Sequence, residues 1–355
     1  MLDATKQNQE QGKKDRIIKC LVWDLDDTLW KGTLLEGDRV ELFPYSERML
    51  RLLDSRGILN SVASKNEDQH AREALSGFGL DHYFLFPQIG WSSKSESIRK
   101  IAASLNIGLD AIAFVDDQPF EREEVAFQLP QVLCLSPDQV EDIEHMPEFT
   151  PKVITAESAR RRLMYLEDAQ RTASESEFQG SPAEFLATLD MQVSIARARP
   201  IDLDRASELT LRTNQFNTTG RGYSVDELNA FLDSDSHRLY VVELQDKFGG
   251  YGIVGLGLLE CQDDIWTIKL MLMSCRVVSR GIGTVFINYL MRLARNTESR
   301  LRAEIYPNGK NRLMQIAYAF AGFREIARDG DFCLLENNLQ NIQDVPAYVS
   351  LRSEE

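Results

Sequence analysis

Positions 23 to 30 read Trp23-Asp24-Leu25-Asp26-Asp27-Thr28-Leu29-Trp30, directly after the apolar run Ile17–Val22. Two carboxylates two residues apart, just past a buried strand, suit one bound divalent cation and leave one group for proton transfer. Open α/β sheets bind their ligands at the carboxyl ends of the strands, so Asp24 and Asp26 are expected in that crevice. A solvated acidic turn has the same composition, and three further features argue against it. Ser64 ends the run Val62-Ala63-Ser64-Lys65-Asn66, where a hydroxyl and backbone amides suit phosphate oxygens. Lys94 opens a helical pattern after a loop, the place for a cation that steadies a phosphoryl group. Phe114-Val115-Asp116-Asp117 closes another apolar run with a second acidic pair. Two acidic pairs, a hydroxyl and a lysine at strand ends make a phosphoryl-transfer site. Gathering several carboxylates without a cation is costly, so Mg²⁺ is the expected cofactor.

A second constellation lies later in the chain. Thr267–Cys275 reads as a strand, followed by Arg276-Val277-Val278-Ser279-Arg280-Gly281-Ile282-Gly283 and then a helix. Glycines permit close backbone approach, and a helix N-terminus favours an anion, so this turn is a candidate phosphate cradle. Cys275 stands at the strand end before it. Most free cysteines are small buried hydrophobes. Here Arg276, Arg280 and the helix start would also favour a thiolate. His237, the sole histidine after position 150, precedes a strand and is no obvious base.

The elements that must position these residues follow from periodicity. Ile17–Trp23, Ile58–Ala63, Ala111–Val115 and Val132–Leu135 read as buried strands. Ser46–Ser55, Asp68–Gly77 and Ser95–Leu105 have helical spacing between them. Strands alternating with helices predict a doubly wound parallel α/β sheet. Pro137, Pro147 and Pro151 in an acidic stretch mark a boundary, and Ala156–Ser174 reads as a charged helix joining two halves. The second half predicts strands at Met191–Ala198, Arg238–Leu244, Tyr251–Cys261, Trp266–Cys275, Leu301–Tyr306 and Phe332–Glu336. Helices are expected at Leu203–Arg212, Val225–Leu232, about Thr284–Arg295 and Asn311–Phe320. This is an α+β domain around a mostly antiparallel sheet. The expected layout is a flexible 1–15, a first domain over 16–150, a linker helix over 151–180, a second domain over 181–345 and a tail over 346–355.

Composition narrows the class. The 355 residues include 43% hydrophobic and 27% charged side chains, near the globular average. The net charge is −15, with 16 Lys+Arg against 27 Asp+Glu over 1–150 and 24 against 28 beyond. That balance argues against nucleic-acid binding. No apolar stretch is long enough to span a membrane, and the polar start lacks a signal-peptide core, so a cytoplasmic enzyme is expected. Five scattered cysteines without a CxxC pair give neither a disulfide framework nor a zinc site.

The order of acidic pair, Ser64, Lys94 and second acidic pair over residues 16–135 resembles the haloacid dehalogenase (HAD) superfamily. That resemblance implies Asp24 as the nucleophile forming an aspartyl-phosphate and Asp26 as the acid and base. Ser64 and Lys94 would hold the phosphoryl group. Asp24, Asp26, Asp116 and Asp117 would surround Mg²⁺. About 40 residues separate Asp24 from Ser64 and 30 separate Ser64 from Lys94, which leaves no room for the cap such enzymes often insert. An uncapped site admits a bulky substrate or is covered by the neighbouring domain; the second is the expectation.

The later strand, turn and helix resemble the GNAT acyltransferase fold, whose matching loop holds the pyrophosphate of coenzyme A. Val278 stands where that loop usually opens with Gln or Arg, and a phosphopantetheine arm, with one phosphate, demands less. Over nearly its whole length the chain resembles the FkbH-like proteins of polyketide pathways. The shared pieces are Asp24–Trp30, Ser64–Glu67, Asp116–Arg122, Arg212–Asn217, Ser274-Cys275-Arg276 and Lys310-Asn311. The resemblance implies an enzyme that takes 1,3-bisphosphoglycerate, holds the glyceryl group on Cys275, removes phosphate and loads an acyl carrier protein. Asn214, Gln215, Asn217, Arg276, Arg280, Gly281, Gly283, Lys310 and Asn311 would contact the acyl group or the pantetheine arm. Turn formation and helix capping are the other reading for the asparagines. Arg160–Arg162 and Arg197/Arg199 are candidates for docking an acidic carrier. Two alternatives remain: an Mg²⁺ phosphatase fused to a coenzyme A-dependent N-acetyltransferase, and a second half that only docks the carrier.

Overall fold

The computed structural model describes residues 16–151, 153–213, 216–308 and 311–353. The chain divides into two compact units, Met1–Leu166 and Glu167–Glu355.

In the first unit β1 (Cys20–Trp23) is buried on both faces, as a central parallel strand must be. Leu21 and Trp23 pack with Met49 and Leu50 on one face, while Cys20 and Val22 meet Ile98, Ile101 and Val125 on the other. A short hairpin, β2 (Trp30–Lys31) and β3 (Glu41–Leu42), leads to α1 (Pro44–Ser55). Then come β4 (Leu59–Ser64), α2 (Asp68–Gly77), β5 (Gln88–Ile89), α3 (Lys94–Leu105), β6 (Ile112–Val115), α4 (Pro119–Gln128) and β7 (Leu133–Leu135). The sheet order is β5-β4-β1-β6-β7 with every pairing parallel. Helices start where their caps dictate. α1 begins two residues before its apolar periodicity because Pro44 loses no hydrogen bond in a first turn. α3 begins at Lys94 because the Ser93 hydroxyl accepts from Glu96 N. Between Asp24 and Ser64 there is the small hairpin, a 3₁₀ turn and α1, and no inserted domain.

The division falls within α5 (Arg161–Glu177), which is separated from the turn Ala156–Ala159 by Arg160, so the charged helix expected over 156–174 is interrupted. The second unit continues with α6 (Pro182–Ala187), β8 (Met191–Arg197), α7 (Leu203–Arg212), α8 (Val225–Leu232), β9 (His237–Asp246), β10 (Gly249–Gln262) and β11 (Ile265–Met273). It closes with α9 (Ile282–Asn296), β12 (Arg300–Ile305), α10 (Arg312–Phe320), β13 (Arg324–Asp329), β14 (Phe332–Asn337) and β15 (Val349–Ser353). One mixed sheet runs β13-β14-β12-β11-β10-β9-β8-β15. It is antiparallel except where β11 meets β12 and β15 meets β8. α9 lays Val285, Phe286, Tyr289 and Leu290 on this sheet, so closely that a Cβ on Gly257 would stand 2.6 Å from Phe286. β13 had no counterpart among the expected strands, and β15 lies in the stretch expected as a tail. Both are edge strands, whose ladder needs only backbone groups on one side and leaves little periodic signal. No helix among the described residues is long and apolar enough to cross a membrane.

Candidate functional site

Because β1 and β6 are parallel neighbours, the residues after them emerge on one edge of the sheet. Asp24 N donates to Val115 O at 2.9 Å, which carries the ladder as far as the first acidic group. Lys94, the first residue of α3, puts Nζ 2.5 Å from Asp24 Oδ1 and 2.9 Å from Asp116 Oδ2. It also donates to Ala63 O at the end of β4. Asp24, Lys94 and Asp116 are 7%, 3% and 0% exposed, so these charges meet with little water. Oxygens of Asp24, Asp116 and Asp117 lie within 4.8 Å of one another.

Burial is the largest influence on the titration of these groups. It pushes Asp24 up to about 6, with Lys94 opposing the rise and Asp116 adding to it. Asp116 and Asp117 are raised by burial as well. Burial alone would lower Lys94, but Asp24 and Asp116 outweigh it and hold the ammonium above its ordinary value. Three clustered carboxylates against one ammonium leave an excess of negative charge. That donor set fits a hard divalent cation, and Asp24, Asp116 and Asp117 would hold it.

Asp26 stands apart from this trio. The chain turns as soon as β1 ends, with Leu29 N donating to Leu25 O and Asp27 at φ 50°, and Asp26 takes partners of its own. Its Oδ1 accepts from Trp30 Nε1 at 2.8 Å and Leu34 N at 3.3 Å, and its Oδ2 from Asn66 Nδ2 at 2.9 Å. Of the four carboxylates expected around the cation, Asp26 is therefore the one whose side chain faces indole and amide instead. Ser64 is buried beside Asp24, bonds it through its hydroxyl and accepts from Asn66 Nδ2. Four site residues escaped sequence reasoning. Trp30 and Asn66 clamp Asp26, and both lay inside runs already singled out. Thr28 Oγ1 accepts from Asp117 N at 2.9 Å, and Arg122 ties down the carbonyls of Asp116 and Asp117 at 2.6 and 2.8 Å.

In the second unit β11 ends at Met273, and Cys275 opens a 3₁₀ turn through Arg280 instead of closing the strand. Ser274 N still donates to Val254 O of β10 at 2.7 Å, so the pairing ends at Ser274 and the turn begins there. Gly281 sits at φ +75° with Tyr348 Oη 3.0 Å from the position of a Cβ, so glycine is favoured there. Gly283 meets nothing closer than 3.7 Å. Arg276 donates to Tyr251 O at 3.1 Å, and Arg280, 4% exposed, reaches Glu175 Oε2 at 3.3 Å. Asn214, Gln215 and Lys310 lie outside the described residues.

Asn217 and Asn311 are buried, and their amides are used up by the loops that hold them. Asn217 Oδ1 accepts from Thr219 N and Gly220 N, while Nδ2 donates to Thr213 O and Arg221 O. Asn311 donates to Asn217 O, Thr218 O and Tyr306 O. These bonds match the other reading of the asparagines, turn formation, and engage both side-chain amides within the loops. Of the basic runs expected to dock a carrier, Arg162 pairs with Asp54 at 3.0 Å and Arg199 with Asp202 at 3.2 Å.

No protein-family model matches the sequence, and no curated protein matches it. Among solved structures the chain is similar to the N-terminal part of a Bacteroides fragilis protein containing a phosphatase domain, complexed with Mg. That match has 27% identity over 42% of this chain and 39% of that one, with a TM-score of 0.28. This chain thus spans well under two thirds of that protein. It is also similar to the ribosomal-protein-S18-alanine N-acetyltransferase of Escherichia coli, at 13% identity over 41% of this chain and 92% of that one, TM-score 0.33. A GNAT-family acetyltransferase from Staphylococcus aureus matches at 17% identity over 42% of this chain and 99% of that one, TM-score 0.34.

Proposed function

We propose that this chain joins an Mg²⁺-dependent phosphatase, with Asp24 as nucleophile, to an acyltransferase that carries its acyl group on Cys275. The observation that supports this best is Lys94 Nζ, 2.5 Å from Asp24 and 2.9 Å from Asp116, beside a trio of carboxylates at strand ends. Such a site has a nucleophile, a cation for the phosphoryl oxygens and an excess of negative charge for a metal. Asp24 attacks phosphorus, the bond to the leaving oxygen breaks, and Asp26 gives that oxygen its proton. Water then attacks the aspartyl-phosphate, Asp26 takes its proton, and phosphate departs. Ser64 and Lys94 hold the oxygens of the transferring group. Bound Mg²⁺ supplies neutralisation of the phosphoryl charge. Trp30 and Asn66 fix the orientation of Asp26.

The resemblance to FkbH-like proteins supports the finer reading. The donor is 1,3-bisphosphoglycerate. The Cys275 thiolate attacks its acyl carbon, the bond to the 1-phosphate oxygen breaks, and a phosphoglyceryl thioester forms. The phosphatase removes the 3-phosphate. The phosphopantetheine thiol of an acyl carrier protein then attacks the thioester carbonyl, and Cys275 leaves as thiolate. Asn214, Gln215 and Lys310 belong to the loops assigned to the acyl chain in this reading, and the Arg276–Gly283 turn to the phosphate of the arm.

Intact-protein mass spectrometry, after incubation with Mg²⁺ and 1,3-bisphosphoglycerate generated in place, tests both halves. The wild type is expected to gain a glyceryl adduct, Cys275→Ala none, and Asp24→Asn a retained phosphoglyceryl adduct. No adduct on any form, with phosphatase activity intact, overturns the thioester and leaves a phosphatase fused to a coenzyme A-dependent acetyltransferase.

A further inference from the structure

We infer that the second unit holds a pocket for a compact phosphoryl group, well away from Cys275. A cavity of about 130 Å³ is lined by Arg197, Arg238, Tyr240, Trp266, Asn296 and Thr297. Arg197 ends β8 and lies opposite Tyr240 of β9, which puts Arg238, two residues earlier on β9, in the diagonal position on the same face. Trp266 lies near the start of β11 and Asn296 at the end of α9, whereas Cys275 lies past the other end of both elements. Seven residues of strand from Trp266 to Met273 amount to about 23 Å.

Two features of this cavity point to an anion. Each guanidinium lies over an aromatic face: Arg197 is 5.5 Å from the Tyr240 centroid and Arg238 is 4.4 Å from that of Trp266. Both rings are buried, so each guanidinium lies against a fixed aromatic surface while its N–H donors stay available. The second feature is that, among the described residues, neither guanidinium has a hydrogen bond or an acidic partner. Arg197 and Arg238 are half-buried, whereas the fully buried arginines of the same unit each have a carboxylate: Arg171 meets Asp246, Arg205 meets Glu208 and Arg280 meets Glu175. In a chain of net charge −15, these two neighbouring cations line one cavity with no carboxylate among its lining residues.

Capping of α9 does not account for them. The carbonyls of Leu293, Ala294 and Arg295 already accept from Thr297 N, Ser299 N and Glu298 N. Size narrows the ligand, because 130 Å³ is far below the roughly 300–1,000 Å³ of pockets for drug-sized molecules. One compact oxyanion fills it. Two planar forks suit the several oxygens and double charge of a phosphoryl group better than a single carboxylate.

The test is a titration of the full ¹⁵N-labelled chain with inorganic phosphate, without metal and at constant ionic strength, read at the Trp266 indole N–H. The phosphatase site also takes phosphate on the reading above, but it is followed separately through the indoles of Trp23 and Trp30. The Trp266 signal is expected to shift saturably. Arg197→Gln and Arg238→Gln should each weaken that response about ten-fold or more, since hydrogen bonds to charged groups are of that strength. Both should leave the Trp23 and Trp30 responses unchanged, and the dispersed backbone amide signals of the second unit, kept in both variants, show that they fold. Arg238→Lys, which keeps the charge and loses the fork, should fall between. A Trp266 shift that chloride reproduces, or none at millimolar phosphate, overturns the pocket. An equal response to acetate overturns its assignment to a phosphoryl group.

Discussion

Replacing Lys94 with Met keeps an unbranched side chain, one atom shorter, and removes the charge that lies 2.5 Å from Asp24 and 2.9 Å from Asp116. All three side chains are less than a tenth exposed, so solvent does little to screen what remains. Removing one member of a buried ionic cluster costs about 3–5 kcal/mol, because the orphaned charge must stay out of water. Protonation recovers part of that cost. With Lys94 present, burial already raises Asp24 from 3.8 to about 6, and without the lysine it climbs further. A carboxyl raised in the folded state binds more protons folded than unfolded, so its contribution is favourable at low pH and is lost as pH rises through that interval. In Lys94→Met the interval extends upward, so the loss should be small near pH 5 and reach its full size by pH 8. Urea unfolding without metal measures this in a Trp91→Phe/Trp266→Phe background, where only Trp23 and Trp30, both fully buried in the first unit, still fluoresce. A variant as stable as its parent at pH 8, or one with the same loss at both pH values, refutes Lys94 as the compensating charge.

Other consequences are as direct. Arg171 makes two bonds to Asp246, at 2.7 and 2.9 Å, in a site where both side chains are almost completely buried. Arg171→Met and Asp246→Asn should each destabilise the second unit by about 3–5 kcal/mol, and the double variant by less than their sum. Additive losses in urea unfolding would mean that the two do not act as a pair. Gly281→Ala should cost about 1 kcal/mol for its left-handed backbone, and more from the contact with Tyr348. Gly283→Ala, two residues on and free of close neighbours, should be neutral or slightly stabilising in the first turn of α9. Thermal melts of the two variants must differ in that order.

Much of the first unit was legible because its signals are local. The alternation Cys20-Leu21-Val22-Trp23 divides one strand between two cores, and the polar residues that follow it are released at the sheet edge. Edge strands were harder, since β13 and β15 carry no strong pattern and depend on which neighbour offers free backbone groups. The asparagines at 217 and 311 show a different limit. Asn side chains serve turns and ligands alike, and only their surroundings reveal that these two are consumed by Thr213, Thr218, Tyr306 and the backbone nearby.

By itself the sequence determined the two-part α/β and α+β organisation, the acidic pairs after β1 and β6, and the placing of Ser64 and Lys94 at element ends. Those features follow from side-chain periods of 2 and 3.6 and from capping chemistry, which act over a few residues. Tertiary structure decided which groups meet. Lys94 reaches Asp24 across 70 positions, Asn66 reaches Asp26 across 40, and the register of β8 on β9 brings Arg197 beside Arg238. The fold also decided that Asp26 meets Trp30 and Asn66. Electrostatic and hydrogen-bonding partners are chosen by proximity in space, and proximity is set by parallel strand pairing and helix packing that no local pattern encodes.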